Sequence, residues 1–108
     1  MAYDEGLAQR VRDLLQDEAD MTEKKMFGGL AFLLSGHMAV AVGADGLMFR
    51  IEPGTGKAQV GGPVRQQTMG ERVMTGWLHV DTDGLVTEAQ LRTVVDRGKA
   101  TARALPPK

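Results

Sequence analysis

Few residues in this chain could do chemistry, and their spacing keeps them apart. The two histidines, His37 and His79, show no close H-x-H or H-x-x-x-H spacing, so neither has the neighbour a metal site needs. Ser35 is the only serine, and it lacks the G-x-S-x-G turn that would raise its hydroxyl as a nucleophile. No cysteine is present, which removes disulfides, thiolate zinc sites and thiol nucleophiles together. Gly54-Thr55-Gly56-Lys57 suggests a phosphate loop, but Ile51 and Ala58 stand where that pattern requires a glycine and a hydroxyl. Asp81-x-Asp83-Gly84 resembles part of a calcium loop, yet His79 and Gln90 hold the first and twelfth ligand positions. These residues point away from catalysis and give no metal or cofactor motif.

What remains are candidates for binding. One group is Lys25, Phe27, Gly28 and Gly29, where paired glycines after a lysine could either cradle an anion or bend the chain between strands. The other group is Met48, Arg50, Trp77 and His79, which strand alternation places on one side of a sheet. That placement depends on the elements around them.

Residues 24–52 read as a short leading strand and three longer apolar ones, punctuated by glycine turns. A short strand, Lys24–Phe27, precedes the glycine pair, followed by strands over Leu30–Leu34, Met38–Val42 and Leu47–Glu52. Asp45-Gly46 signals a two-residue hairpin, which would pair Val42 with Phe49 and Val40 with Ile51. Around Ser35-Gly36-His37 a three-residue loop with a bulge would pair Leu34 with Met38 and Phe32 with Val40. Alternation then gives one face of Leu30, Phe32, Leu34, Met38, Val40, Val42, Leu47, Phe49 and Ile51. The reverse face carries Ala31, Leu33, Ala39, Ala41, Met48 and Arg50, too apolar for a fully solvated side, so something should cover part of it.

Helices should cover the bulkier face. Leu7, Val11, Leu14 and Leu15 recur at helical spacing within 3–18, with Asp4 and Glu5 at the favourable end. Thr87 and Gln90 form a Thr-x-x-Gln capping box ahead of a stripe of Leu91, Val94, Val95, Gly98, Ala102 and Leu105, which Pro106-Pro107 ends. Between them, residues 53–72 are rich in glycine and read as a loop, and 73–81 is a fifth strand with Trp77 and His79 facing away from Leu78 and Val80. The expected fold is α+β with two layers: a mainly antiparallel five-stranded sheet, and N- and C-terminal helices packed on one face.

Composition sets the outer limits. With 108 residues, 43% apolar and 25% charged, the chain suits one globular domain, 1–108. The N-terminus, MAYDEGLAQR, is too polar for a signal peptide, and no apolar run suits a membrane helix, which points to the cytoplasm and to no membrane partner. Net charge is −1, but the first 20 residues are acidic and the last 17 basic, an asymmetry that could be satisfied within the fold. Arg92, Lys99 and Arg103 share one side of the last helix, but without an aromatic stacking platform they argue against direct nucleic-acid binding.

Lys25-Met26-Phe27-Gly28-Gly29-Leu30-Ala31-Phe32, together with Gly76-Trp77 and the closing Ala104-Leu105-Pro106-Pro107-Lys108, resembles the N-terminal domain of the TfoX/Sxy family. The resemblance runs over nearly the whole chain and departs from the family pattern in the glycine-rich residues 54–70. It implies an α+β domain found in regulators of bacterial natural competence, which act beside a cAMP-responsive transcription factor, and it implies no catalytic residues. Those regulators carry a second, C-terminal domain, which a chain closing at Lys108 is expected to lack. The functional expectation is a non-enzymatic regulatory or protein-interaction domain, dimeric through the reverse sheet face. The alternative is a small-molecule site between Trp77, Met48 and the 53–72 loop, and a third is an accessory enzyme in RNA metabolism.

Overall fold

The computed structural model describes residues 3–26, 29–52, 64–69 and 72–105. In chain order the elements are α1 (Glu5–Leu14), β1 (Met21–Met26), β2 (Gly29–Leu34), β3 (His37–Val42), β4 (Gly46–Arg50), β5 (Val64–Met69), β6 (Arg72–Asp81), a 3-10 turn (Thr82–Leu85) and α2 (Glu88–Arg103). The strands form one antiparallel sheet in the order β1-β2-β3-β4-β6-β5. The two helices pack on one face, α2 lying against β3 and β4. The α+β two-layer expectation therefore holds, with six strands in place of five. The additional strand, β5, falls inside the segment expected to be loop. Its sequence VRQQTM offers little apolar alternation, and β5 forms by pairing with β6 along the edge of the sheet.

α1 starts where the carboxylate of Asp4 accepts a hydrogen bond from the Leu7 amide at 3.0 Å. It stops at Leu14, four residues short of expectation, where the chain turns and the Glu18 amide donates to the Leu15 carbonyl at 3.0 Å. The released residues reach β1 earlier, at Met21. α2 begins as expected. The Thr87 hydroxyl accepts from the Gln90 amide at 3.1 Å and the Gln90 side-chain oxygen accepts from the Thr87 amide at 2.9 Å. Thr87→Ala removes half of this box and should lower stability by about 1 kcal/mol, measurable as a drop in the urea midpoint with an unchanged slope.

The core lies between helices and sheet. Leu7 and Val11 from α1, Leu15 at its C-cap, and Leu91, Val94 and Val95 from α2 meet Leu30, Phe32, Val40, Val42, Leu47, Phe49, Ile51, Leu78 and Val80. These sheet residues are the ones assigned to the bulky face, with one exchange. The β2–β3 hairpin closes through a two-residue turn, Ser35-Gly36, both at positive φ (50° and 85°), and not the expected three-residue loop. Leu33 pairs with Met38 at the turn, whereas Phe32 still pairs with Val40, so Ala39 is the extra residue of a bulge. Ala39 consequently joins Leu34 and Ala102 beneath α2, while Met38 moves to the reverse face beside Leu33. The expectation that Ala39 would line the reverse face is corrected by this one misfit residue.

The β3–β4 register also differs. Val42 pairs with Leu47 and Val40 with Phe49, which moves the turn to Ala44-Asp45. Gly46 is not used as a turn residue. Its missing Cβ lets the Val80 carbonyl of β6 approach, and Asp45 accepts from the Thr82 amide at 3.1 Å. Tertiary contacts thus override the local turn signal, and because the shift is two residues, every side chain keeps its face.

The acidic first segment and the basic last one satisfy each other. Arg103 forms an ion pair with Asp20 and another with Glu18 at 2.7 Å; Lys99 lies 3.8 Å from Glu18, and the Ser35 hydroxyl donates to Asp20. Arg103, with Ser35 second, holds the Asp20 carboxyl far below the usual carboxylate range, and Arg103 with Lys99 lowers Glu18. At the same end of α1, Arg12 in the last turn grips Glu23 at 2.6 Å and lowers it likewise. Depressed folded values contribute stability above the unfolded carboxylate pKa of about 4. That contribution disappears as pH falls through the lower, folded values. The urea midpoint should therefore be flat from neutrality to about pH 5 and decline below it, with a shallower acid decline in Arg103→Gln. An identical acid slope in wild type and variant would show that the cluster does not act this way.

Candidate functional site

On the reverse face, register brings four of the expected binding residues together. Met48 pairs with His79 and Arg50 with Trp77 across β4 and β6, while Ala41 pairs with Met48 and Ala31 with Ala41 across the central strands. Ala31, Ala41 and Met48 form a small buried cluster against which half-buried Leu33, Met38 and Trp77 pack. This face is not an open alanine floor, since Ala31 is 0% exposed and His79 only 8%.

Arg50 closes part of the cluster. Its Nε donates to the Met38 carbonyl at 2.7 Å, and its guanidinium carbon sits 4.9 Å from the centre of the Trp77 ring. Burial lowers the pKa of this guanidinium, which stays charged at any ordinary pH. Beside it, His79 Nε2 lies 3.1 Å from Asp81 and 3.9 Å from Asp45, and Arg65 reaches Asp81 at 3.3 Å.

The other expected group does not join this site. Lys25 is exposed at the edge strand and pairs with Leu30, whose side belongs to the helix-covered core. Gly29 serves a close approach, since a Cβ there would strike the Val42 carbonyl, so the glycine has a packing reason at this position. Phe27 and Gly28 lie outside the described residues, as does Gly54-Thr55-Gly56-Lys57. Asp81-x-Asp83-Gly84 leads into the 3-10 turn, and among the described residues no group of three or more metal-binding side chains converges.

Asp45, Asp81 and Arg65 belong to the rim of the site and were not singled out from sequence. Asp81 follows His79 by two residues on one strand, a spacing that puts both on one face. Arg65 becomes visible only once β5 is known. Elsewhere, a shallow groove of about 400 Å³ runs between the helices near Arg10, Asp13, Asp17, Glu88 and Arg92. Charges of both signs line it, with no polar group buried at its base, so it lacks the features of a ligand pocket. The basic side of α2 is likewise engaged: Arg92 meets Glu88 at 3.3 Å, and Lys99 and Arg103 meet Glu18, which weakens any case for a nucleic-acid surface there. Among the described residues no helix is long and apolar enough to cross a membrane.

Neither the curated proteins nor the solved structures return a match to this chain. A family model does: the TfoX N-terminal domain matches residues 13–102, from within α1 almost to the end of α2. That span takes in the whole sheet, the Arg50–Trp77 pair and the segment around Gly29. On this match the chain belongs to the TfoX N-terminal domain family.

Proposed function

We propose that this TfoX N-terminal domain works without catalysis, as a cytoplasmic regulatory module acting through protein contact, with a second copy of itself as the first partner. Membership of the family supports a role of the kind played by competence regulators beside a transcription factor. The observation that carries the contact reading is the reverse face, where Leu33, Met38 and Trp77 remain half-exposed around a buried apolar centre. Such a group, rimmed by Arg50, Arg65 and Asp81, has the apolar centre and polar border of an interface. Analytical ultracentrifugation over a range of concentrations tests it. A dimer is expected for the wild type and a folded monomer for Leu33→Lys; a wild type that stays monomeric at the highest concentration would overturn self-association.

A second reading, a small-molecule site near Trp77, Met48 and the 53–72 segment, is favoured by the half-buried guanidinium stacked on Trp77. Of that segment, 64–69 is strand β5, Arg72 opens β6, and 53–63 and 70–71 lie outside the described residues. Among the described residues, Met48 and Arg50 on β4 and Trp77 on β6 are the side chains that would meet a ligand there.

A further inference from the structure

Among the described residues Arg12, Arg65, Arg92 and Arg103 each meet a carboxylate. Arg10 instead donates to the Val86 carbonyl at 3.3 Å in an exposed contact. Arg50 also lacks a carboxylate, and it is the one drawn against an aromatic ring: among the described residues its partners are the Met38 carbonyl and the face of Trp77. A guanidinium has five N–H donors, and the Met38 carbonyl occupies the one on Nε. The two terminal nitrogens carry the other four donors, which meet no acceptor among the described residues. A cation drawn partly out of water with no counter-charge is costly unless an anion completes it.

We propose that Arg50, with Trp77, Leu33, Met38 and Met48 around it, forms a subsite for a small organic carboxylate bearing an apolar body. Charge and geometry select this class. The guanidinium fork matches the two oxygens of a carboxylate in one plane. A single positive charge neutralises a monoanion, whereas a multiply charged phosphate would meet the carboxylates of Asp45 and Asp81 on the same face. The half-buried Leu33 and Met38 and the Trp77 ring provide surface for the hydrocarbon part. The inference goes beyond self-association and uses side chains of one copy; because both draw on Leu33, Met38 and Trp77, octanoate should compete with a second copy for this face.

The experiment is a titration of the full chain with sodium octanoate, followed by the fluorescence of Trp77, the only tryptophan, and by calorimetry. Saturable binding is expected, about tenfold or more weaker in Arg50→Gln, a loss of one strong charge-assisted contact. Arg50→Lys, which keeps charge but not the planar fork, should fall between the two. Octanol and octylamine, of equal chain length, should bind worse than octanoate, a comparison on the wild type that stands even if the variants fail to fold. Equal response to octanol, unweakened binding in a folded Arg50→Gln, inorganic phosphate binding as well as octanoate, or no saturable response would each overturn the proposal. Sedimentation without and with octanoate separates the two ideas: a chain already monomeric without octanoate that binds it removes self-association alone, and a dimer indifferent to octanoate removes the carboxylate subsite alone.

Discussion

Phe49→Ala should destabilise the domain by about 3–5 kcal/mol, the largest loss expected of any single truncation considered for this chain. Phe49 is fully buried on β4 and pairs with Val40 on one side and Leu78 on the other, so its ring fills the middle of the layer between sheet and helices. Strands on both sides prevent collapse into the space left, which puts the cost toward the upper part of the range for such truncations. Domains of this size have a total stability of about 5–15 kcal/mol, so the variant would be partly unfolded at physiological temperature. Urea denaturation followed by circular dichroism gives the number, with Phe49→Leu losing much less as a check on cavity size. A loss below about 1 kcal/mol would contradict the central position of the ring.

Gly98 is the second large effect, and here the usual helix rule changes sign. Replacing a mid-helix glycine by alanine ordinarily gains about 1 kcal/mol. At Gly98 the added Cβ would lie 2.5 Å from the Ala39 carbonyl oxygen and 2.9 Å from Val40 Cγ1. The first of these is backbone in a central strand, which cannot turn aside as a flexible side chain could. Overpacking of this kind costs about 1–3 kcal/mol, enough to outweigh the propensity gain, so Gly98→Ala is expected to be destabilising and Gly98→Val more so. Ala100, two residues on and exposed, should follow the ordinary rule, with Ala100→Gly losing about 1 kcal/mol. A stabilised Gly98→Ala would mean that α2 does not sit this close to β3.

Much of the fold could be read from alternation and caps. Leu30, Phe32, Val40, Val42, Leu47, Phe49, Ile51, Leu78 and Val80 all took the expected side because parity along a strand is a local property. Thr87 and Gln90 announced α2 for the same reason: both partners of the box lie within four residues. What escaped was set by distant groups. The Asp45-Gly46 turn signal lost to the needs of β6, and the odd residue at Ala39 depended on how Ser35-Gly36 closes. β5 has no strong pattern of its own, and Arg65 on the rim of the site escaped with it.

The site was legible only in part. Trp77, Arg50, Met48 and His79 were placed on one face by parity, but that Arg50 would lie over Trp77 follows from the β4–β6 register, which nothing in either strand states. Lys25 and Gly29 belonged to a motif rather than to a shared surface, and the structure separates them from the others.

The bulge at Ala39 ties the two sides of the sheet together. The Met38 carbonyl holds Arg50 on one side, and the very next carbonyl, that of Ala39, is the one against which Gly98 rests on the other. Each peptide unit is planar, so this two-residue stretch of backbone offers one carbonyl to each layer, and a change of backbone at the bulge would alter both contacts.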